Sequence, residues 1–197
     1  MGRGPETGHG RGPYRGPAGR VSWLGVPPRP PMTETPALSH VDDQGQARMV
    51  DISNKPKTAR TAVAAGRVVV GAEALRLIRE NEIRKGDVLT VSNVAGVLGA
   101  KQTSRLLPLC HDVVLQNVEI EFTLDDEAGA VDVRAITKTE GPTGVEMEAL
   151  TAVAVASLTV YDMCKSVTKD IEITGVRLLA KSGGRSGDYR RPGPRNN

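Results

Sequence analysis

Along the middle of the chain the period of apolar and polar positions changes from block to block. Residues 48–53 (RMVDIS) alternate weakly and predict a short strand. Residues 60–70 (RTAVAAGRVVV) are small and β-branched, and predict a second strand. Over 72–81 (AEALRLIREN) Leu75, Ile78 and their apolar neighbours fall on one side of a helix. Lys85-Gly86-Asp87 reads as a turn. Asp87 is placed to cap a helix over about 88–106, which Pro108 stops. Val118, Ile120, Phe122 and Leu124 alternate with Glu119, Glu121 and Thr123. Val131, Val133 and Ala135 alternate with Asp132 and Arg134, across the turn-forming stretch 125–129 (DDEAG). That pattern predicts an antiparallel hairpin with one buried and one wet face. A long apolar helix over 145–167 and a last strand over 170–180 complete the series. Strands and helices intermix around an antiparallel hairpin, which predicts an α+β fold with helices packed on one face of the sheet.

Composition confines this domain to the centre of the chain. Residues 1–36 hold 8 of the 13 prolines and 8 of the 22 glycines and lack an aliphatic run. Such a segment buries too little apolar surface to offset the entropy of ordering it. It reads as a disordered extension, with Met32 as an alternative start. Residues 184–197 read as a flexible basic tail, which leaves 37–183 as the folded domain. The whole chain carries +3; each end contributes +3, so the domain itself carries −3. Only Phe122 and Tyr161 are aromatic within it. Neither a basic face nor a base-stacking platform is therefore expected, which argues against a nucleic-acid partner. Cys110 and Cys164 stand 54 residues apart without a CxxC pattern, as suits a reducing, cytoplasmic setting. No apolar core follows the N-terminal arginines, so no secretory signal is read there. The apolar run from Ala149 to Cys164 is short for a membrane span.

Four segments bear candidate chemistry. Lys85-Gly86-Asp87 is either an exposed capped turn or a presented lysine. In Leu106-Leu107-Pro108-Leu109-Cys110-His111, the histidine is a structural residue or a proton carrier. Cys110 and His111 would face opposite ways in a strand, which argues against a nucleophile pair, and zinc-ligand spacing is missing. On the helix over 145–167, Glu146 and Glu148 suit the positive end of the macrodipole. Asp162 and Lys165 are three apart at its other end. They form either a surface ion pair or, if buried, a carboxylate tuned by desolvation and charge. Glu148 and Asp162 share a helical face within roughly 40° but stand roughly 21 Å apart along the axis. One small-molecule site on a straight helix does not easily use both, so two subunits would have to supply them. Finally, Lys181-Ser182-Gly183-Gly184-Arg185-Ser186-Gly187 combines cations with backbone that can approach phosphate, without a Walker A ending.

Read together, MVDIS (49–53), KGDVL (85–89), LLPLCH (106–111), TGVEMEALTAVAVASLTVYDMCK (143–165) and VRLLAKSGGRSGD (176–188) resemble the cyclic pyranopterin monophosphate synthase family of molybdenum cofactor biosynthesis. The resemblance covers about residues 38–188. It implies a ferredoxin-like α+β fold and a homohexamer of three dimers with active sites at dimer interfaces. It implies a small-molecule substrate, the 3′,8-cyclo-7,8-dihydro derivative of GTP, turned into cyclic pyranopterin monophosphate with release of diphosphate by a lyase. No metal or other cofactor is implied, and no membrane or nucleic-acid partner. The residues suit such a task. Lys85, Lys165, Lys181 and Arg60 are cations for a triphosphate. Asp162 with Lys165 is an acid/base pair, and Lys85 joins them as catalytic by the resemblance. The resemblance assigns Leu109, Cys110, His111, Glu146, Met147 and Glu148 to substrate binding, where Glu148 can accept N–H donors of a guanine-like base. Two rivals compete. A GTP hydrolase or nucleotidyl transferase would show magnesium-dependent hydrolysis, and an RNA-binding module would show salt-titratable binding.

Overall fold

The computed structural model describes residues 46–192. The extension over 1–36 and the Met32 start lie outside the described residues. Thr58–Val69 (β1) is central to a five-stranded antiparallel sheet with Asn117–Asp125 (β2), Ala130–Gly141 (β3), Glu172–Ser182 (β4) and Tyr189–Arg190 (β5). Strand order is β2-β3-β1-β4-β5. Helices Ala72–Arg79 (α1), Val88–Lys101 (α2) and the single turn Thr103–Leu106 (α3) connect β1 to β2, and Glu146–Cys164 (α4) connects β3 to β4. The first four strands thus follow β-α-β-β-α-β connectivity.

The sheet's buried face is built from small residues. Ala62, Ala64 and Val68 of β1 point inward beside Val131, Val133 and Ala135 of β3. Against them α4 lays Ala149, Ala152, Val153, Ala156 and Val160, all fully buried. Such a surface lets a helix come close: a Cβ at Gly66 would stand 2.8 Å from Val153 Cγ1. The same holds where α2 crosses α4. A Cβ at Gly99 would meet Val155 Cγ2 at 2.7 Å, and one at Gly96 would collide with Ile120. Helix α4 is long and apolar enough by composition to cross a bilayer, yet half of that stretch is buried against the sheet and α2 as a core helix.

Several boundaries differ from the sequence pattern. Residues 48–53 form no strand. Asp51 Oδ1 accepts from Ser53 N (2.9 Å) and Ser53 Oγ (2.7 Å), and Lys55 N donates to Ile52 O, so local bonds close a turn where ladder bonds would have been. The helix expected over 88–106 breaks at Gln102, whose N–H is shared between Leu98 O and Gly99 O. Next to the break, the Thr103 hydroxyl donates back to Ala100 O at 2.9 Å. Helix α4 ends at Cys164, three residues early, and β4 is displaced two residues toward the C-terminus. Within the stretch read as a flexible tail, Gly184 and Gly187 adopt positive φ, and β5 returns along β4 with Ala180 opposite Arg190.

Candidate active site

Two clusters of the singled-out residues form at opposite ends of α4. At the N-terminal end, β1, the loop 141–145 and the end of β4 enclose a pocket of about 560 Å³. The Arg60 guanidinium braces that loop, donating to Gly141 O (2.9 Å) and Pro142 O (3.0 Å). Lys181 Nζ pairs with Glu146 Oε1 at 2.9 Å, half-buried on both sides, and reaches Ser186 Oγ at 3.2 Å. Lys55 and Arg185 line the same pocket, so four cations face one carboxylate. Val145 at the N-cap of α4 makes no side-chain hydrogen bond to the first turn, and the positive end of the helix opens here. Gly183 lies on Ala59 O and Gly184 on the Arg60 guanidinium so closely that side chains at either would collide. The pocket therefore presents backbone and charge together, an arrangement complementary to an oligophosphate.

In the same first turn of α4, Glu148 is only 4% exposed. Burial pushes its carboxyl up to about 7 against the pull of a backbone hydrogen bond, and the charge of Glu146 adds to the rise. The Cys110 thiol is raised by its own burial and, secondarily, by the charge of Glu148. His111 Nε2 donates to Val50 O at 2.7 Å and ties the loop after α3 to the segment before β1. Leu109 is half-buried in the same loop. Met147 is 40% exposed at the start of α4.

The C-terminal end of α4 carries the second cluster. Gly86 turns the chain at a φ of 98°, a conformation that glycine adopts without strain. Asp87 then caps α2, accepting from Thr90 N at 3.0 Å and from Thr90 Oγ1 at 2.5 Å. This turn presents Lys85, whose Nζ donates to Asp162 Oδ2 (2.7 Å) and Asp162 O (2.8 Å). Lys165 Nζ pairs with Asp162 Oδ1 at 2.6 Å. A buried Asp162 is not what the structure holds: the carboxylate is 56% exposed. Its tuning comes from charge, not desolvation. The Lys165 and Lys85 hydrogen bonds hold it down at about 2.

The structure thus joins Arg60, Lys181 and Glu146, and joins Lys85, Asp162 and Lys165. It does not join the two clusters, which lie roughly 24 Å apart along the α4 axis. Lys55 escaped the sequence reading, because a lysine between Asn54 and Pro56 has no periodicity to mark it. Among the described residues no group of three or more His, Cys, Asp or Glu side chains is placed to hold a metal ion.

The MoaC family model matches residues 49–184, a span that contains Arg60, Glu146, Glu148 and Lys181 of the first cluster and Lys85, Asp162 and Lys165 of the second. The chain is 59% identical over 159 residues to cyclic pyranopterin monophosphate synthase of Salinibacter ruber, covering 81% of this chain and 94% of that protein. It is 53% identical over 155 residues to the protein of the same name from Chloroflexus aurantiacus, covering 79% and 95%. It is 47% identical over 170 residues to human molybdenum cofactor biosynthesis protein 1, covering 86% of this chain but only 27% of that longer protein. With most of its length matched and the motif residues gathered at the two ends of one core helix, the chain belongs to the MoaC family.

Proposed function

We propose that the chain is a cyclic pyranopterin monophosphate synthase, a lyase of molybdenum cofactor biosynthesis acting on the 3′,8-cyclo-7,8-dihydro derivative of GTP. The observation that carries this reading is the cationic pocket at the start of α4, adjoining a buried carboxyl poised near neutrality. Lys55, Arg60, Lys181 and Arg185 hold the triphosphate, for which Lys181 exchanges Glu146 for phosphate oxygen. Glu148 in its ionised form accepts the N–H donors of the purine-derived ring. Forming the cyclic monophosphate requires a substrate hydroxyl to attack the α-phosphorus while the bond to the β-phosphate breaks. The hydroxyl proton goes to a base, and diphosphate leaves. Asp162 is that class of base once a phosphate draws Lys85 and Lys165 away, because loss of their hydrogen bonds removes what holds it near 2. The two ammonium groups then serve as proton donors during ring opening and closure.

The separation of the clusters supports a site shared by two chains, with Lys85, Asp162 and Lys165 from one protomer and the phosphate pocket from its partner. Exposed apolar side chains point the same way. Val91, Val94 and Leu98 line one face of α2, and Leu158 is exposed on α4, each at least 44% exposed. A second copy covering that face accords with a homohexamer of three dimers, and the β-α-β-β-α-β order accords with a ferredoxin-like domain. The free thiols of Cys110 and Cys164 suit a cytoplasmic enzyme. The deciding experiment supplies the cyclised dihydro-GTP and assays for the pterin product and diphosphate. An intact, folded preparation that yields neither overturns the reading.

A further inference from the structure

The solvent-side face of the sheet carries charge that the synthase reading does not use. Arg134 of β3 and Arg177 of β4 flank Ala65 of β1, which pairs with both, so a methyl group separates two guanidinium-bearing positions. Toward β5, Arg190 and Arg191 close a groove of about 730 Å³ whose floor is Val63, Leu179 and Ala180. Among the described residues no acidic side chain lines it. The Arg191 backbone is fixed in place, its N–H donating to Leu179 O at 2.7 Å. Arg134 is paired with Glu121 at 2.5 Å, and Arg177 donates to Gly175 O at 2.5 Å. Among the described residues the guanidinium groups of Arg190 and Arg191 have neither an ion pair nor a hydrogen bond.

Like charges facing one another across a sheet are destabilising, and an antiparallel sheet ordinarily alternates signs to avoid this. The neighbouring stretch of the same face does so: Arg67 is held by Asp132 (2.6 Å) and Asp125 (2.9 Å). The groove departs from that pattern with four guanidinium groups and one adjoining carboxylate. An anion of several charges restores the balance, and planar N–H forks match phosphate oxygens in pairs. The volume suits a nucleotide-sized molecule. We propose that this groove is a second anion site for a di- or triphosphate group, distinct from the pocket at the start of α4. With Glu121 on Arg134, a single phosphate dianion would leave at least one of the four cations unmatched, so the chain of phosphates is the preferred partner. The apolar floor accepts whatever the chain is attached to.

The test is calorimetric titration of the full-length chain with inorganic pyrophosphate at low ionic strength. The parent is the Lys55→Ala/Arg60→Ala/Lys181→Ala/Arg185→Ala variant, which strips the α4 pocket of its four cations. Pyrophosphate binding is expected to persist in that parent and to weaken about tenfold or more when Arg190→Gln and Arg191→Gln are added, since each removes a charge-assisted bond. GTP in place of pyrophosphate distinguishes a nucleotide from the free diphosphate, and either one binding through these arginines supports the site. Inorganic phosphate binding as tightly as pyrophosphate overturns the proposal, as does an isotherm unchanged by the two substitutions. Arg177→Gln serves as the second variant if β5 detaches, which circular dichroism reports. In the otherwise native chain, Arg190→Gln/Arg191→Gln leaves turnover of the cyclised substrate unchanged. Failure of the groove and failure of the synthase reading therefore register in separate assays.

Discussion

At the scale of single residues, chemistry follows from what each carboxyl faces. Asp162, exposed between two ammonium groups, stays ionised through the whole physiological range. Replacing it with asparagine keeps the shape and removes the base. Turnover is expected to fall roughly 10²–10⁴-fold while the fold persists, the range for losing a general acid or base. Steady-state kinetics with circular dichroism checks this, and near-normal turnover in a folded Asp162→Asn would remove the residue from the mechanism. Glu148 is the opposite case. Its folded value of about 7 lies above the ordinary 4.5, so its neutral form is the one the fold favours. The associated stability is fully present below about 4.5 and is lost as pH rises through about 7. Denaturant titrations at pH 4.5 and pH 8 are expected to differ through this group by on the order of 3 kcal/mol. Glu148→Gln, which carries no charge to bury, is expected to flatten that difference. An unchanged pH dependence in the variant would show that the carboxyl is solvated.

At the scale of elements, two features fix the geometry of the clusters. The close crossing of α2 and α4 depends on Gly96 and Gly99. Gly99→Leu forces atoms into Val155 and is expected to cost about 1–3 kcal/mol by overpacking, read as a lowered denaturation midpoint with an unchanged slope. The Asp87 cap is the other feature. Asp87→Ala removes acceptors for Thr90 N and Thr90 Oγ1 and is expected to cost about 1 kcal/mol of stability. It also frees the turn that aims Lys85 at Asp162. The loss of turnover is therefore expected to exceed what the small stability change explains, whereas parallel losses in Lys85→Ala and Lys85→Ala/Asp87→Ala would confirm that Asp87 acts only through Lys85.

At the scale of the whole molecule, the separation of the clusters along α4 makes a subunit-mixing experiment decisive. Chains with Glu148→Ala lack the base-recognition carboxylate, and chains with Asp162→Ala lack the proton acceptor. Mixed after dissociation and reassembly, they are expected to recover part of the activity that neither has alone. Light scattering is expected to give a mass several times the 20.9 kDa of one chain. A fully active monomer, or mixing without recovery, would sink the shared site.

The period of the pattern sets an element because it is a local property. Alternation over 117–125 and 130–141, and the apolar helix over 146–164, are determined by neighbouring side chains needing one buried face, and these were legible without coordinates. The motif residues were legible for the same reason: their types and order lie along the chain. Their grouping was not. Lys85 meets Asp162 across 77 positions, and Lys181 meets Glu146 only because β4 returns beside β1 next to the start of α4. The ionisation of Asp162 and Glu148 depends on partners and burial at a few ångströms, which the distance along the chain does not encode. Weak patterns also lost to local hydrogen bonding, as Asp51 closed a turn in place of a strand. Tyr189 and Arg190 show the converse: no alternation along the chain marks a strand there, and only the edge of β4 supplies the backbone partners that make one.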